Sequence, residues 1–196
     1  VEAKPQISDG QFQDGPVAKW IWGDDNNKDY VLQTTFNASG IKAAILKASS
    51  DNVGTVFVNG KQVANSAAWE EAMSADVTKY IVEGKNTITA KVENRGGIAA
   101  FVLKLALQDA DGTVTHVVTN ENWTVTTKNL DNDRKVSLRG NYGDNPWGNV
   151  FSGTANYAGR VPRGVFEVQP GFQVEKLFTV PKDELGSWVC IAFDNK

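Results

Sequence analysis

The sequence predicts an all-β fold, an antiparallel β-sandwich, and three observations carry that prediction. Short alternating apolar segments follow one another from residue 17 to residue 127, at roughly ten-residue spacing, the rhythm of a sandwich or barrel rather than of a parallel α/β fold. Turn chemistry separates them, at Ser39-Gly40, Asn59-Gly60, Glu83-Gly84-Lys85-Asn86, Gly96-Gly97 and Asp111-Gly112. Only the interval Ala67 to Met73 has room for a helix, of one or two turns.

The elements read in order as follows. Residues 1–16 hold two prolines and several Gln and Asp without periodicity, which predicts an extended lead-in. A sandwich is expected over 17–151. Its strands are expected at Val17–Trp22, Tyr30–Asn37, Ile41–Ser49, Gly54–Val58, Lys61–Ala64, Asn86–Glu93, Ile98–Gln108, Thr113–Val118 and Trp123–Thr127. In the fourth of these, Val56 and Val58 face one way and Phe57 the other. The strand then turns at Asn59-Gly60, two residues that accept the positive φ of a tight hairpin. From Lys128 the chain is rich in Asn, Asp, Gly and Arg, and Tyr142 and Trp147 give that stretch apolar area to pack on something. Residues 152–170 read as a linker. After Pro170-Gly171, two further strand patterns cannot bury a core alone, so 171–196 reads as the truncated start of a following domain of the same polypeptide.

The 196-residue chain has a formal charge of -3 with the signs intermixed. That leaves no basic footprint for nucleic acid and no polybasic patch for a membrane surface. No apolar run is long enough to span a bilayer. The first residues lack both an initiator Met and a signal peptide's apolar segment, and read as a cut or mature fragment. One cysteine, Cys190, and one histidine, His116, are thin material for a metal or nucleophilic site. Glu70 and Glu71 are adjacent and cannot flank a substrate as a glycosidase pair does. No phosphate loop, dinucleotide fingerprint or nucleophile elbow is present. The sequence therefore reads as a non-enzyme.

Two constellations remain. Asp51-Asn52 stands at a strand entrance, where oxygens can converge on a cation or a polyol; Trp69, Asn94 and Arg95 complete a sugar-like donor set of aromatic platform, amide, carboxylate and guanidinium. The competing role is plain structure, with Trp69 in the core and Asp51-Asn52 capping a turn. The second constellation is the run Asp24-Asp25-Asn26-Asn27-Lys28-Asp29, in which Asp24, Asp25 and Asp29 offer oxygen ligands of the kind Ca²⁺ takes. It lacks the glycine and terminal glutamate of an EF-hand loop, and a solvated turn is the competing role. Trp20, Trp22 and Trp123 fall in strands and read as core.

From Lys19-Trp20-Ile21-Trp22 to Trp147-Gly148 the chain resembles the galactose-binding-like jelly-roll domains appended to bacterial α-L-rhamnosidases. The matching segments are Ala48 to Val63 with Asp51-Asn52 and Val58-Asn59-Gly60, and Asp76-Val77-Thr78-Lys79-Tyr80. Glu83 to Ile88, Val92-Glu93-Asn94 with Gly96-Gly97, and Asn145-Pro146-Trp147-Gly148 follow in the same order. The resemblance implies Ca²⁺ on Asp51 and Asn52, touching the sugar, with Trp69 lining the pocket. The tail, Pro170 to Asp194, resembles the first strands of a sugar-dehydrogenase-like β-propeller, as in large secreted proteins of planctomycetes. The function expected is a non-catalytic carbohydrate-binding module, calcium-assisted, of a secreted or periplasmic bacterial protein. The alternative is a docking domain that packs on the parent's propeller and binds no sugar. Removing Asp51 is expected to abolish binding and leave the fold largely intact.

Overall fold

The computed structural model of the chain describes residues 6–127, 133–152 and 154–155, all within a unit that spans residues 1–159. Most of the expected linker and the whole expected propeller start, 171–196, lie outside the described residues. In chain order the elements are α1 (Asp9–Gln13), β1 (Lys19–Trp22), β2 (Tyr30–Ala38), β3 (Ala43–Asp51), β4 (Val53–Val58), β5 (Lys61–Ser66) and β6 (Met73–Asp76). They continue with β7 (Gly84–Glu93), β8 (Ala100–Gln108), β9 (Val114–Val118), β10 (Thr124–Thr127), β11 (Arg134–Lys135), β12 (Ser137–Asn141), β13 (Gly148–Asn149) and β14 (Thr154–Ala155). No described helix is long and apolar enough to cross a membrane.

The expected all-β sandwich is what forms. Sheet one runs β12-β1-β8-β3-β6, with β9 also alongside β8; sheet two runs β11-β10-β2-β7-β4-β5; β13 and β14 make a small ribbon. Every pairing in the two large sheets is antiparallel. The β4–β5 hairpin closes where Asn59 and Gly60 take φ of 48° and 76°, as their residue types dictate. Between the sheets lies the main core, with Trp22, Leu32, Leu46, Val56, Ile88, Phe101, Leu103 and Trp123 all buried.

A second apolar layer covers the outer face of sheet one. Ala18, Trp20, Ala100, Val102, Val118, Trp147 and Val150 are buried there. Trp20 and Trp22, two apart in one strand, serve different layers because the register against β12 shifts between Trp20 and Ile21, a bulge that re-aims the side chains. Strand β8 is sandwiched between both layers and is buried at every position, which explains its nearly unbroken apolar run.

Three expectations on the elements are corrected. The lead-in is not wholly extended: Ser8 accepts a hydrogen bond from the Gln11 N–H at 3.3 Å and donates its own N–H to Gln11 Oε1 at 3.0 Å, a capping box that nucleates α1. Residues 8–18 strap the outer face of sheet one. Phe12 is buried, and Lys104 Nζ donates to the carbonyls of Gln13, Asp14 and Pro16 at 3.0, 2.6 and 3.4 Å. Ala67–Met73 is not a helix. Ser66 Oγ accepts from the Ala68 N–H and donates to the Ala68 carbonyl, and such local side-chain bonds compete with helix formation. Met73 instead opens β6. Finally, β3 runs two residues past Ser49 and brings Asp51 into register with Ala100.

Candidate functional site

Asp51 and Asn52 sit at the corner where the chain leaves one sheet for the other. Strand β3 ends in sheet one at Asp51, and Val53 already pairs with Glu93 in sheet two. Room for so sharp a corner comes from Gly54, on which a Cβ would stand 2.7 Å from Ser50 Cβ. The peptide bond between Asp51 and Asn52 is cis. Asn52 holds three partners at once. Its N–H donates to the Glu93 carbonyl at 3.2 Å, its Nδ2 to Asp51 Oδ1 at 2.8 Å, and its Oδ1 accepts from the Arg95 N–H at 2.6 Å.

Next to it, Asn94 ties down the loop between β7 and β8. Its Nδ2 donates to the carbonyls of Asn26 and Gly97 at 2.8 and 3.2 Å, and its Oδ1 accepts from the Gly96 N–H at 3.1 Å. The corner thus gathers three loops: β1–β2 through Asn26, β3–β4 through Asn52, and β7–β8 through Asn94 and Arg95. The Arg95 side chain is exposed.

Strand alternation decides where Asp51 points. Ala44, Leu46 and Ala48 face the inter-sheet core, so Lys47, Ser49 and Asp51 face the outer layer. There the sequence reading needs its largest revision. Asp51 is only 7% exposed, because Trp147 closes over it and donates its indole N–H to Oδ2 at 2.9 Å. Trp147 in turn stacks on Trp20, with ring centroids 4.7 Å apart. Ser49 Oγ donates to the Trp69 carbonyl at 2.7 Å, and the Trp69 ring packs part of its surface on the same outer layer while the rest stays accessible. The carboxylate is therefore a packing partner as well as a candidate ligand, and Asp51→Ala would remove a buried hydrogen bond along with any binding group.

All five sequence-derived residues contribute to this region. Asp51, Asn52 and Arg95 are joined by direct hydrogen bonds, Asn94 shares the Arg95 loop, and Trp69 joins through the outer layer. Sequence reasoning assigned Trp147 only apolar area and missed its bond to Asp51. The indole of a tryptophan is a donor that must find an acceptor when buried, and that was the available signal.

The acidic run is spoken for. Asp24 Oδ1 accepts from the Tyr30 hydroxyl at 2.6 Å and Oδ2 from Arg134 Nη1 at 2.9 Å. The Tyr30 bond, ahead of the Arg134 charge, holds the Asp24 carboxyl below its usual value. Asp25 accepts from the Asn27 N–H at 2.9 Å and lies 3.6 Å from Lys28 Nζ. Among the described residues, Asp29 included, no group of three or more His, Cys, Asp or Glu side chains is gathered so as to hold a metal ion. At the corner, Ca²⁺ would find one carboxylate, on Asp51, and the amide oxygens of Asn52 and Asn94, all engaged by N–H donors, where it takes about six to eight oxygens. That donor set alone does not make a calcium cage.

No protein-family model matches the sequence, and neither does any curated protein sequence. Solved structures do match in fold. The chain is similar to part of the Streptomyces avermitilis α-L-rhamnosidase solved with L-rhamnose, at a TM-score of 0.63 and 22% identity over 72% of this chain and 16% of that one. It is similar to the Pleurotus ostreatus lectin, solved both free and with GalNAc, at a TM-score of 0.59 and 23% identity over 67% of this chain and 44% of the lectin. A Bacillus sp. GL1 rhamnosidase of family GH78 matches at a TM-score of 0.55 and 20% identity, over 66% of this chain and 19% of its own. The chain spans less than half the length of each. At these identities the likeness establishes the fold: a jelly-roll-like β-sandwich of two antiparallel sheets.

Proposed function

We propose that the chain is a non-catalytic carbohydrate-binding module of a larger secreted or periplasmic protein. The observation that carries the proposal is the corner itself, where Asn52 and Asn94 lock three loops together beside an exposed Arg95, with the partly accessible Trp69 on the adjoining outer layer. A flat aromatic surface serves the C–H face of a sugar, and planar guanidinium and amide groups serve its hydroxyls. Part of a rhamnosidase solved with L-rhamnose and part of a lectin solved with GalNAc share the fold. A single module of this kind binds weakly and gains from avidity in the parent.

One observation favours the rival reading, a docking domain that binds no sugar: Asp51 is buried under Trp147 and presents no free carboxylate edge. The test must therefore avoid Asp51. Titration calorimetry with L-rhamnose, galactose and GalNAc, in calcium and in chelator, separates the two readings and the calcium expectation together. Trp69→Ala and Arg95→Ala are each expected to weaken sugar binding about tenfold or more, with melting temperature little changed. Absence of binding to any sugar in both conditions overturns the module and supports docking. Equal affinity with and without calcium removes calcium from the proposal.

A further inference from the structure

A cleft lies further along the outer face of sheet one, lined by residues other than those of the corner. It has a volume of about 250 Å³ and opens between the strap of residues 12–18 and the segment 142–152. Its floor is Lys47 and Lys104, which are register partners on β3 and β8. Its walls are aromatic: Tyr142 and Phe151 stack at 4.7 Å, and Phe12 meets Phe151 edge-on at 6.2 Å. Gln13, Asn149 and Ser152, all exposed, supply amides and a hydroxyl.

The charge balance of this cleft is unusual. Lys104 is only 6% exposed, and its three protons go to main-chain carbonyls of the strap. No described carboxylate lies within ion-pair distance of it. Buried charges are ordinarily paired, and here burial pulls the Lys104 pKa below the usual lysine value, with Asp14 only partly opposing. Lys47 adds a second ammonium. It lies 3.3 Å from the Phe151 carbonyl, 4.9 Å from the Phe12 ring centroid and 3.9 Å from Asp9, whose side chain is 93% exposed and so a weak partner. Among the described residues no carboxylate lines the cleft. A donor-saturated ammonium that adds only its charge, a second ammonium with one hydrogen bond to a carbonyl, aromatic walls and a neutral polar rim complement an anion with an apolar face and hydroxyls.

We propose that this cleft binds a carboxylate-bearing monosaccharide, a uronic acid, with its carboxylate on Lys47, the Lys104 charge acting through space, and its ring against the aromatic wall. The volume suits a single ring, below the range of drug-sized pockets. This inference does not depend on the corner: it names other residues and another ligand charge.

The test is a ¹⁵N-resolved NMR titration of the whole chain with glucuronate and galacturonate, set against glucose, galactose and benzoate at matched ionic strength. Saturable shifts at the amides of Phe12, Gln13, Asn149 and Phe151, with Arg95 and Gly96 unmoved, are expected for the uronates alone. Lys47→Met should weaken the uronates at least tenfold, whereas Lys47→Arg should keep most of the affinity. Neutral sugars binding equally well, uronate shifts centred on the corner, benzoate in place of uronates, no saturable shift at all, or full affinity in Lys47→Met would each overturn the assignment. Failure of neutral sugars at the corner overturns the corner as a sugar site and leaves this assignment standing.

Discussion

Trp147 and Asp51 illustrate how a residue can look like a ligand and act as a keystone. A buried carboxylate stripped of a donor is costly, since a hydrogen bond to a charged group contributes about 1.5–3 kcal/mol and the stranded charge adds to that. Trp147→Phe, which also loses ring volume, should destabilise by about 3 kcal/mol, and Asp51→Ala by about 2 kcal/mol. The double variant should cost clearly less than the sum, because the two side chains share one interaction. Urea midpoints provide the measurement; two near-silent single variants would show that the bond carries no stability. The exposure of the tryptophans is testable at the same scale. Trp20, Trp22, Trp123 and Trp147 are buried and Trp69 is not. In a Trp188→Phe background, iodide should quench a fraction of the fluorescence that disappears on Trp69→Phe. A fraction that survives would place Trp69 in the core.

Among the elements, the strap of residues 8–18 is held partly by a titratable group. His116 Nε2 lies 2.9 Å from the Gln11 carbonyl, to which it can only donate a proton. On its other side Gly15, at φ +79°, approaches so closely that a Cβ would stand 2.6 Å from Nδ1. Burial lowers the His116 pKa, and the nearby Lys104 charge pushes the same way, against the Gln11 bond and Asp14. Below the ordinary value of 6.5 the unfolded chain therefore binds more protons than the folded one, and stability falls as pH falls into that window. The shifted carboxylates Asp24, Glu83 and Glu121 all move downward, and His116 is the sole histidine. Melting temperature should thus decline between about pH 6.5 and 5, and His116→Gln should flatten the decline. An unchanged profile in the variant would mean that the strap does not sense His116.

The same scale shows what the sequence could and could not reveal. Strands with clean alternation and a closing Gly or Asn-Gly turn were legible, because periodicity and turn chemistry are local. Strand β6 was not: Met73-Ser74-Ala75-Asp76 is four residues with one apolar anchor, made a strand only by pairing with β3. Strand β12, with Gly140 and Arg139 in it, was hidden for the same reason and is held by β1. At the corner, Asn52 with Arg95 followed from the sandwich expectation. The Trp147 lid did not, since no local pattern encodes a contact across 96 positions.

For the molecule as a whole, the second apolar layer changes what a surface-facing strand position means. In a two-sheet sandwich with one wet face, Val102 would be near silent on truncation. Here it is fully buried beneath the Trp20–Trp147 stack, and Val102→Ala should cost about 2 kcal/mol. Chemical denaturation gives the value, and a loss under about 0.5 kcal/mol would show the layer to be loosely attached. Leu103→Ala, facing the inter-sheet core, is the internal reference.

The late position of Trp147 in the chain sets an order of assembly. The face it seals is built from Trp20, Ala100 and Val102, so during synthesis that greasy surface exists before its cover has left the ribosome. Closing a contact of such long range is slow, and apolar faces left open in the meantime invite association with other chains. The stretch Tyr142 to Ser152, short of regular strand and easily mistaken for a trailing loop, is therefore the step that takes the nascent chain out of danger. A released chain of residues 1–140 should bind a hydrophobic dye that a chain of residues 1–160 does not.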